Sequence, residues 1–157
     1  MDKSVHVWHT WQSMIDGRVH PEVTFRAGVF IWVGDELLLI RGVDIPRGKR
    51  RVVTGKWGPP KGCVEPGEKF VWETALRELH EETGIAISPE LIRDGEISLY
   101  IRHHGTAIKS LYLFYTLRLV HKPRVRISHD EISKYGWFDH VPENSIISLK
   151  YYLASLR

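Results

Sequence analysis

The chain has 157 residues, of which 43% are hydrophobic, and its 22 basic and 19 acidic side chains leave a formal net charge of +3. A chain of this length can bury one hydrophobic core, and so small a net charge excludes a protein that coats nucleic acid with its whole surface. Cys63 is the only cysteine, which excludes an internal disulfide, so we expect one globular domain in the cytoplasm.

The opening Met-Asp-Lys-Ser-Val-His lacks the apolar stretch of a signal peptide. No apolar run in the chain approaches the roughly 20 residues that span a bilayer, so we expect no membrane partner. Trp8 and Trp11 lie three residues apart and predict a short segment that packs onto the domain or onto a second subunit. We therefore expect an N-terminal extension over residues 1–22 and a domain over 23–157, in a monomer or a homodimer.

The first regular elements are predicted between residues 24 and 41. Two runs rich in β-branched and aromatic residues flank Gly34-Asp35, which is a strong signal for a hairpin of two central strands. Residues 42–62 lack apolar periodicity and contain eight glycines and prolines, so they predict a long loop. Long loops in compact domains are often functional.

A helix and two strands are predicted next. Apolar residues at helical spacing indicate a helix over about 72–82, and Gly84 is its expected C-terminal cap. Residues 96–102 and 107–120 are rich in Ile, Leu, Tyr and Phe and predict two strands, joined by a turn over His103–Thr106.

The C-terminal part is predicted to contain a short strand and a helix. The strand covers Tyr135 to Phe138, and either Asn144 or Ser145 is expected to cap the helix that follows. Four apolar residues recur there at helical spacing, namely Ile146, Leu149, Leu153 and Leu156. The chain thus mixes sheet and helix.

Three glutamates share one face of the helix predicted over 72–82. At 100° per residue, Glu78, Glu81 and Glu82 fall within an arc of about 100°. Like charges at these spacings repel by roughly 0.2 to 0.5 kcal/mol per pair, and the C-terminal end of a helix dipole disfavours anions further. A bound divalent cation reverses the sign of both effects. Oxygen-only ligands of this kind favour Mg²⁺ or Mn²⁺ over zinc.

A solvated charged helix face is the simpler interpretation of these glutamates. Arg77 can pair with Glu73 and Glu81, each four residues away, and would steady the array in either case. The sequence upstream of the helix favours a functional site.

Two segments of the chain resemble the Nudix box of the Nudix hydrolase superfamily, Gly62-Cys-Val-Glu-Pro-Gly-Glu68 and Arg77-Glu-Leu-His-Glu-Glu-Thr-Gly-Ile85. The chain supplies every fixed residue type of the box in the right order. Its one departure is a single extra residue between Glu68 and Arg77, in the loop or at the start of the helix. Whether Glu68 contacts Arg77 is therefore left open.

The resemblance implies an α/β fold, an α/β/α sandwich on a mixed β-sheet, in which the box forms a loop, a helix and a loop. It implies that Glu78, Glu81, Glu82 and the Gly62 carbonyl region hold Mg²⁺ or Mn²⁺ while water attacks a bridged phosphorus of a nucleotide-like substrate. Arg77, Glu81 and Glu82 are the catalytic residues that the box contributes.

The general base differs among relatives of this kind. It is a box glutamate in some and a glutamate from a later loop in others, and Glu131, six residues before Trp137, fits the second arrangement. A plain surface glutamate is the alternative interpretation of Glu131.

The predicted loop over 42–62 is basic and suits a polyphosphate. It has no acidic residue after Asp44 and carries six basic ones: Arg47, Lys49, Arg50, Arg51, Lys56 and Lys61. Lys56 and Lys61 flank the motif that approaches the metal and are the strongest candidates for substrate binding, with Arg50 and Arg51 after them. A solvated basic loop explains Arg47 and Lys49 equally well.

A tyrosine is a candidate for stacking on a base. Tyr135 is the first choice and Tyr100 and Tyr112 are alternatives, since every nucleobase offers a π-face to an aromatic side chain. Packing within the strands is the commoner role of such tyrosines.

The segments Trp57-Gly-Pro-Pro-Lys-Gly62 and Glu73-Thr-Ala-Leu-Arg77 are similar to the dinucleoside polyphosphate hydrolases, the diadenosine tetraphosphate branch especially. The alternative is an RNA 5′-pyrophosphohydrolase or mRNA-decapping enzyme, whose relatives share a Glu-Ile like Glu131-Ile132. A nucleotide-sugar pyrophosphatase or a non-catalytic nucleotide-binding module fits less well, because Lys61 disfavours the first and intact box glutamates disfavour the second.

Overall fold

Residues 24–49, 51–93, 95–104 and 107–156 are described by the structure, a computed structural model of the chain. The N-terminal extension expected over 1–22 lies outside these residues. The described part contains nine strands and three helices: β1 (Phe25–Val33), β2 (Glu36–Gly42), β3 (Ile45–Pro46), β4 (Val52–Val53), β5 (Trp57–Gly58), β6 (Lys61–Cys63), α1 (Val71–Thr83), α2 (Pro89–Arg93), β7 (Ile97–His104), β8 (Ala107–Leu119), β9 (Ile132–Phe138) and α3 (Ile147–Ser155).

The predicted β1–β2 hairpin is confirmed, but its two strands pair only next to the turn. Trp32 faces Leu37 and Val33 faces Glu36, and Gly34 takes the left-handed conformation (φ 59°) that the tight turn requires. Beyond these pairs the strands separate. β6 then pairs with β1, and β5 pairs with β2, so the two short strands fill the opening as a wedge.

Gly28 allows this wedge to approach. A Cβ atom at Gly28 would lie 2.4 Å from the Pro60 carbonyl oxygen, and the same oxygen accepts a hydrogen bond from the Val29 amide at 3.1 Å. The prediction of one long loop over 42–62 was therefore wrong in part, because four short strands lie within it. Backbone hydrogen bonds to β1 and β2 hold β5 and β6, and side-chain periodicity does not register such bonds.

The sheet is mixed. Its main path runs β5-β2-β1-β8-β7, with β6 on β1 and β9 on β2, and β1 and β8 are parallel while the other pairs are antiparallel. The predicted strands over 96–102, 107–120 and 135–138 are confirmed, although β7 extends into the expected turn to His104 and β9 begins earlier, at Ile132.

Helices cover both faces of this sheet. α1 packs Val71, Ala75 and Leu79 against alternate residues of β1 on one face. α3 packs Leu149 and Tyr152 on the other face, against a cluster that includes Phe30 and Phe114. Because β1 is buried on both faces, its sequence is apolar apart from Arg26. The expected α/β/α sandwich is confirmed.

The helix ends agree with the sequence for α1 and disagree for α3. Gly84 ends α1 in the left-handed conformation (φ 73°), and its amide donates to the His80 carbonyl at 2.9 Å. For α3 the N-cap is Ile146, without a side-chain hydrogen bond. Ser145 donates instead to the Pro142 carbonyl at 2.6 Å and Asn144 to the Gly55 carbonyl at 2.9 Å, so neither predicted cap binds the helix. No helix in the described ranges is long and apolar enough to cross a membrane.

Candidate active site

Arg77 is the centre of a network of carboxylates on α1. Its guanidinium bonds Glu68 through two nitrogens, at 3.1 and 3.2 Å, and its Nη1 lies 2.8 Å from Glu78 and 3.2 Å from Glu81. Its Nη2 also donates to the Cys63 carbonyl at 2.7 Å. The bonds to Glu68 and Glu78 outweigh burial and hold the pKa of Arg77 above its usual value. Arg77 thus links α1 to the end of β6 and to the loop that follows β6.

The contact between Glu68 and Arg77 that the sequence left open is formed. The helix begins at Val71 and runs without interruption through Arg77, and Glu68 also accepts hydrogen bonds from the Glu65 amide and the Thr74 hydroxyl. Burial would raise the pKa of Glu68, but these bonds and Arg77 lower it below the usual value. Glu68 therefore stays ionised and anchors Arg77.

Glu82 is the most buried carboxylate of the site, with 8% of its surface exposed. Its Oε1 accepts a hydrogen bond from the Lys61 amide at 2.8 Å. Burial raises the pKa of Glu82 to about 8, and the charges of Glu78 and Glu131 add to that effect. In the absence of a metal ion, Glu82 therefore holds a proton more readily than a free glutamate does.

Glu78 lies against the backbone of Gly62. A Cβ atom at Gly62 would lie 2.0 Å from Glu78 Oε1 and 2.1 Å from its Cδ, so any side chain there would displace the carboxylate. Burial raises the pKa of Glu78, and the charges of Glu81 and Glu131 raise it further, although Arg77 opposes them. The Glu78 carboxylate therefore occupies the space that a side chain at residue 62 would fill, and we call this contact the Gly62 cradle.

The donor set fits a divalent cation by its chemistry. Glu78, Glu81 and Glu82 offer oxygen atoms alone, which hard ions such as Mg²⁺ prefer, and mutual repulsion contributes to the raised pKa values of Glu78 and Glu82. Within the part of the chain that the structure describes, no three carboxylate, imidazole or thiol groups form a ready-made cage. The fit thus rests on the donors and on the Gly62 cradle.

Glu131 lines the same cavity as Glu82. This cavity, of about 250 Å³, is also lined by Lys56, Lys61 and Gly58. β9 begins one residue after Glu131, and the pairing of β9 with β2 brings this acid to the site. The structure thus brings together Glu82, Glu131 and the two lysines that the sequence ranked highest.

A second cavity, of about 330 Å³, shares Lys56 and Lys61 with the first. Its other lining residues are Arg26, Tyr100, Arg102, Tyr112, Ile146, Ile147 and Ser148. Lys61 pairs with Gly28 and Gly62 with Ala27 on β1, and successive residues of a strand point to opposite faces. β6 therefore directs Gly62 toward α1 and Lys61 toward the face that α3 covers.

The remaining candidates from the sequence lie farther out. Arg51 is exposed between β3 and β4, Arg50 lies outside the described residues, and Tyr135 is exposed on β9 and lines neither cavity. Arg26 and Arg102 were missed by the sequence analysis. Their only signal was a charged residue within an otherwise apolar or aromatic strand.

Comparisons with known proteins identify the family and the fold. The profile of the NUDIX domain matches residues 7–141. A MutT NUDIX hydrolase from Burkholderia pseudomallei has the same fold, with a TM-score of 0.62 at 21% identity over 85% of this chain and 97% of that one. An Ap4A hydrolase from C. elegans, solved as a binary complex, gives a TM-score of 0.52 at 25% identity over 73% of this chain and 79% of that one.

Two curated relatives match a short segment. The asymmetrical bis(5′-nucleosyl)-tetraphosphatase of Rattus norvegicus is 56% identical over 39 residues, which are 25% of this chain and 26% of that protein. The enzyme of the same name from Mus musculus is 59% identical over a segment of the same length. The chain thus matches about a quarter of the length of these relatives.

Proposed function

The chain belongs to the NUDIX family, and we propose that it hydrolyses a pyrophosphate bond in a dinucleoside polyphosphate, diadenosine tetraphosphate in first place. The observation that carries the proposal is that a carboxylate-lined cavity and a cavity lined by tyrosines and arginines share two lysines. A polyphosphate with a nucleoside at its end needs both of these cavities. The short matches to the tetraphosphatases of rat and mouse point to the same substrate class.

The basic side chains supply the charge that a polyphosphate requires. Lys56 and Lys61 lie between the two cavities, and Arg26 and Arg102 line the second. Ammonium and guanidinium groups bind phosphate oxygens through charge-assisted hydrogen bonds, and arginine does so with two parallel bonds. We assign the phosphate chain to the two lysines and the arginines to phosphates beyond the cleaved bond.

The second cavity is suited to a nucleobase. The rings of Tyr100 and Tyr112 meet edge to face with centroids 5.7 Å apart, and Tyr100 also stacks on Tyr151 at 5.7 Å. A base that stacks on an aromatic side chain gains about 1 to 3 kcal/mol. We therefore assign base binding to Tyr100 or Tyr112 in preference to Tyr135, which lines neither cavity.

NUDIX hydrolases generally use divalent metal ions, and the donors for one here are Glu78, Glu81, Glu82 and the Gly62 carbonyl region. A bound Mg²⁺ or Mn²⁺ would act as a Lewis acid on the phosphate and lower the pKa of a bound water. Arg77 positions Glu78 and Glu81 and keeps their carboxylates on one side of the helix.

Two glutamates are candidates for the general base. Glu82 lines the first cavity, and the Lys61 amide holds its carboxylate in place. Glu131 faces the same cavity from the loop before β9 and is the second candidate. Lys61 would then stabilise negative charge on the phosphate as the anhydride bond breaks.

The test is product analysis after incubation with Mg²⁺ and diadenosine tetraphosphate. The purified wild type is expected to release ATP and AMP, and the Glu82→Gln variant, which keeps an acceptor for the Lys61 amide, is expected to release neither at a comparable rate. ADP-ribose and nucleoside triphosphates serve as alternative substrates. Faster cleavage of ADP-ribose would reassign the enzyme to nucleotide sugars, and tight binding without cleavage of any substrate would make it a binding module.

A further inference from the structure

Ile146 lies where the two cavities of the site meet. Among the described residues, three line both the first and the second cavity: Lys56, Lys61 and Ile146. The lysines carry the charge that attracts a phosphate, whereas the Ile146 side chain has neither a charge nor a hydrogen-bonding group. Because a charged phosphate gains nothing from an aliphatic surface, Ile146 leaves the phosphate chain only the lysine side of the junction.

The backbone around Ile146 is attached to β5. The Ile146 amide donates to the Trp57 carbonyl at 2.9 Å, and the Trp57 amide donates to the Asn144 carbonyl at 3.0 Å. Between these two bonds, Ser145 forms a parallel bridge with Trp57. Residues 144–146 therefore pair with β5 as a further short strand would, and we call them the strap.

Side-chain hydrogen bonds hold the strap as well. Asn144 takes the left-handed conformation (φ 61°), which asparagine adopts more readily than most residues, and its Nδ2 donates to the Gly55 carbonyl at 2.9 Å. The buried Ser145 hydroxyl donates to the Pro142 carbonyl at 2.6 Å. These bonds fix the point from which the Ile146 side chain projects, independently of any ligand.

Gly58 makes room for the Ile146 side chain. A Cβ atom at Gly58 would lie 2.8 Å from Ile146 Cδ1 and 3.1 Å from its Cγ1, so the isoleucine lies against the bare backbone of β5. Gly58 itself lines the first cavity. The end of the Ile146 side chain thus reaches the first cavity, while the next two residues of the chain, Ile147 and Ser148, line the second.

We propose that Ile146 is a specificity-determining residue, which separates the two cavities and so selects the length of the phosphate chain between the cleaved bond and the bound nucleoside. The proposal rests on the proposed function, because it assigns the reacting phosphates to the first cavity and a nucleoside to the second. With Ile146 in place, the phosphate chain passes around it beside Lys56 and Lys61, and this longer path favours four phosphates over three. Without the side chain, a shorter chain can join the two cavities.

The experiment measures kcat/KM with Mg²⁺ for diadenosine triphosphate and diadenosine tetraphosphate in the wild type and three variants. Ile146→Ala removes the separating side chain, and Ile146→Val removes only the methyl group that reaches Gly58. The matched control is Ile147→Ala, which removes the same atoms from a residue that lines the second cavity and is 57% exposed. Thermal unfolding is recorded for every variant.

The wild type is expected to prefer the tetraphosphate. Ile146→Ala is expected to raise the ratio of kcat/KM for the triphosphate to that for the tetraphosphate about tenfold, since a single methylene in a pocket discriminates between substrates by at least about that factor. Ile146→Val should shift the ratio in the same direction by less, and it carries the test alone if alanine unfolds the protein. Ile147→Ala should keep the wild-type ratio.

An unchanged ratio in both Ile146 variants would overturn the proposal, because Ile146 would then serve only to pack against the cluster under α3. An equal shift in Ile147→Ala would overturn it too, since any enlargement of the second cavity would then suffice. A wild type that cleaves neither substrate would refute the proposed function instead. The ratio of Kd values for adenosine triphosphate and adenosine tetraphosphate then decides the role of Ile146, which fails if Ile146→Ala leaves that ratio unchanged.

Discussion

Substitution of Gly62 by alanine should disable the site and leave the fold intact. The new Cβ would lie 2.0 Å from Glu78 Oε1, and an ordinary contact requires about 3.4 Å, so the carboxylate must retreat by 3.4 − 2.0 = 1.4 Å. A displacement of about 1 Å in a catalytic group can cost about 100-fold in rate. Gly62 does not adopt a positive φ, so alanine introduces no backbone strain.

The effect of Gly62→Ala on stability should be small. Loss of the 2.8 Å bond from Arg77 to Glu78 would cost about 1.5 to 3 kcal/mol if nothing replaced it. Relief of the repulsion between Glu78 and its neighbouring carboxylates offsets part of that cost. We expect a net loss of about 1 kcal/mol, which corresponds to about 2 to 4 °C in Tm for a chain of this size.

The assay is steady-state hydrolysis of diadenosine tetraphosphate, together with thermal unfolding, for Gly62→Ala, Glu78→Ala and the double variant. If alanine at residue 62 acts by displacing Glu78, it should have no further effect on kcat once Glu78 is removed. Unchanged kcat in Gly62→Ala, or additive losses in the double variant, would refute the reasoning. A fall of Tm by much more than 4 °C would show that the backbone, and not the carboxylate, had moved.

Three further outcomes follow from the same contacts. With a chelator present, the contribution of Glu82 to stability should be complete below pH 4.5 and lost as the pH rises through about 8, because the folded pKa of Glu82 lies above its unfolded value. In urea unfolding, Glu82→Gln should lack this loss and show equal or higher stability. The turnover of Glu82→Gln should be lower by orders of magnitude. Arg77→Lys should lose about 2 kcal/mol of unfolding free energy and at least about tenfold in kcat, since lysine cannot bond both oxygens of Glu68; wild-type values in both assays would contradict this. Gly28→Ala should lose about 3 kcal/mol, because the contact at 2.4 Å is with the backbone at Pro60, and an unchanged urea midpoint would show that the wedge can shift freely.

The elements that the sequence predicted well depend on neighbouring residues. The β1–β2 hairpin follows from Gly34-Asp35 between two apolar runs, and α1 with its cap follows from helical periodicity and Gly84. The failures have a different origin. Asn144 and Ser145 have the composition of an N-cap, but their side chains donate to other carbonyls. Ser145 binds Pro142, three residues before it, whereas the partner of Asn144 is Gly55, 89 residues away, and that contact is not visible in local sequence.

Some features of the candidate site could be predicted from the sequence, and others depend on the folded structure. The sequence by itself determined the array of Glu78, Glu81 and Glu82, since their spacing on one helix fixes a shared face whatever surrounds them. Their pKa values, the Gly62 cradle and the contact of Arg77 with Glu68 depend on burial and on chain segments that meet only after folding.

Only the tertiary structure decided how the lysines are shared between two cavities. β6 enters the split between β1 and β2, and the alternation of its side chains directs Gly62 to one face of the sheet and Lys61 to the other. That register is fixed by backbone hydrogen bonds between strands far apart in the chain, which no periodicity in the sequence encodes. The sequence thus predicted which groups form the carboxylate array, and the pairing of the strands decided which cavities those groups and the two lysines line.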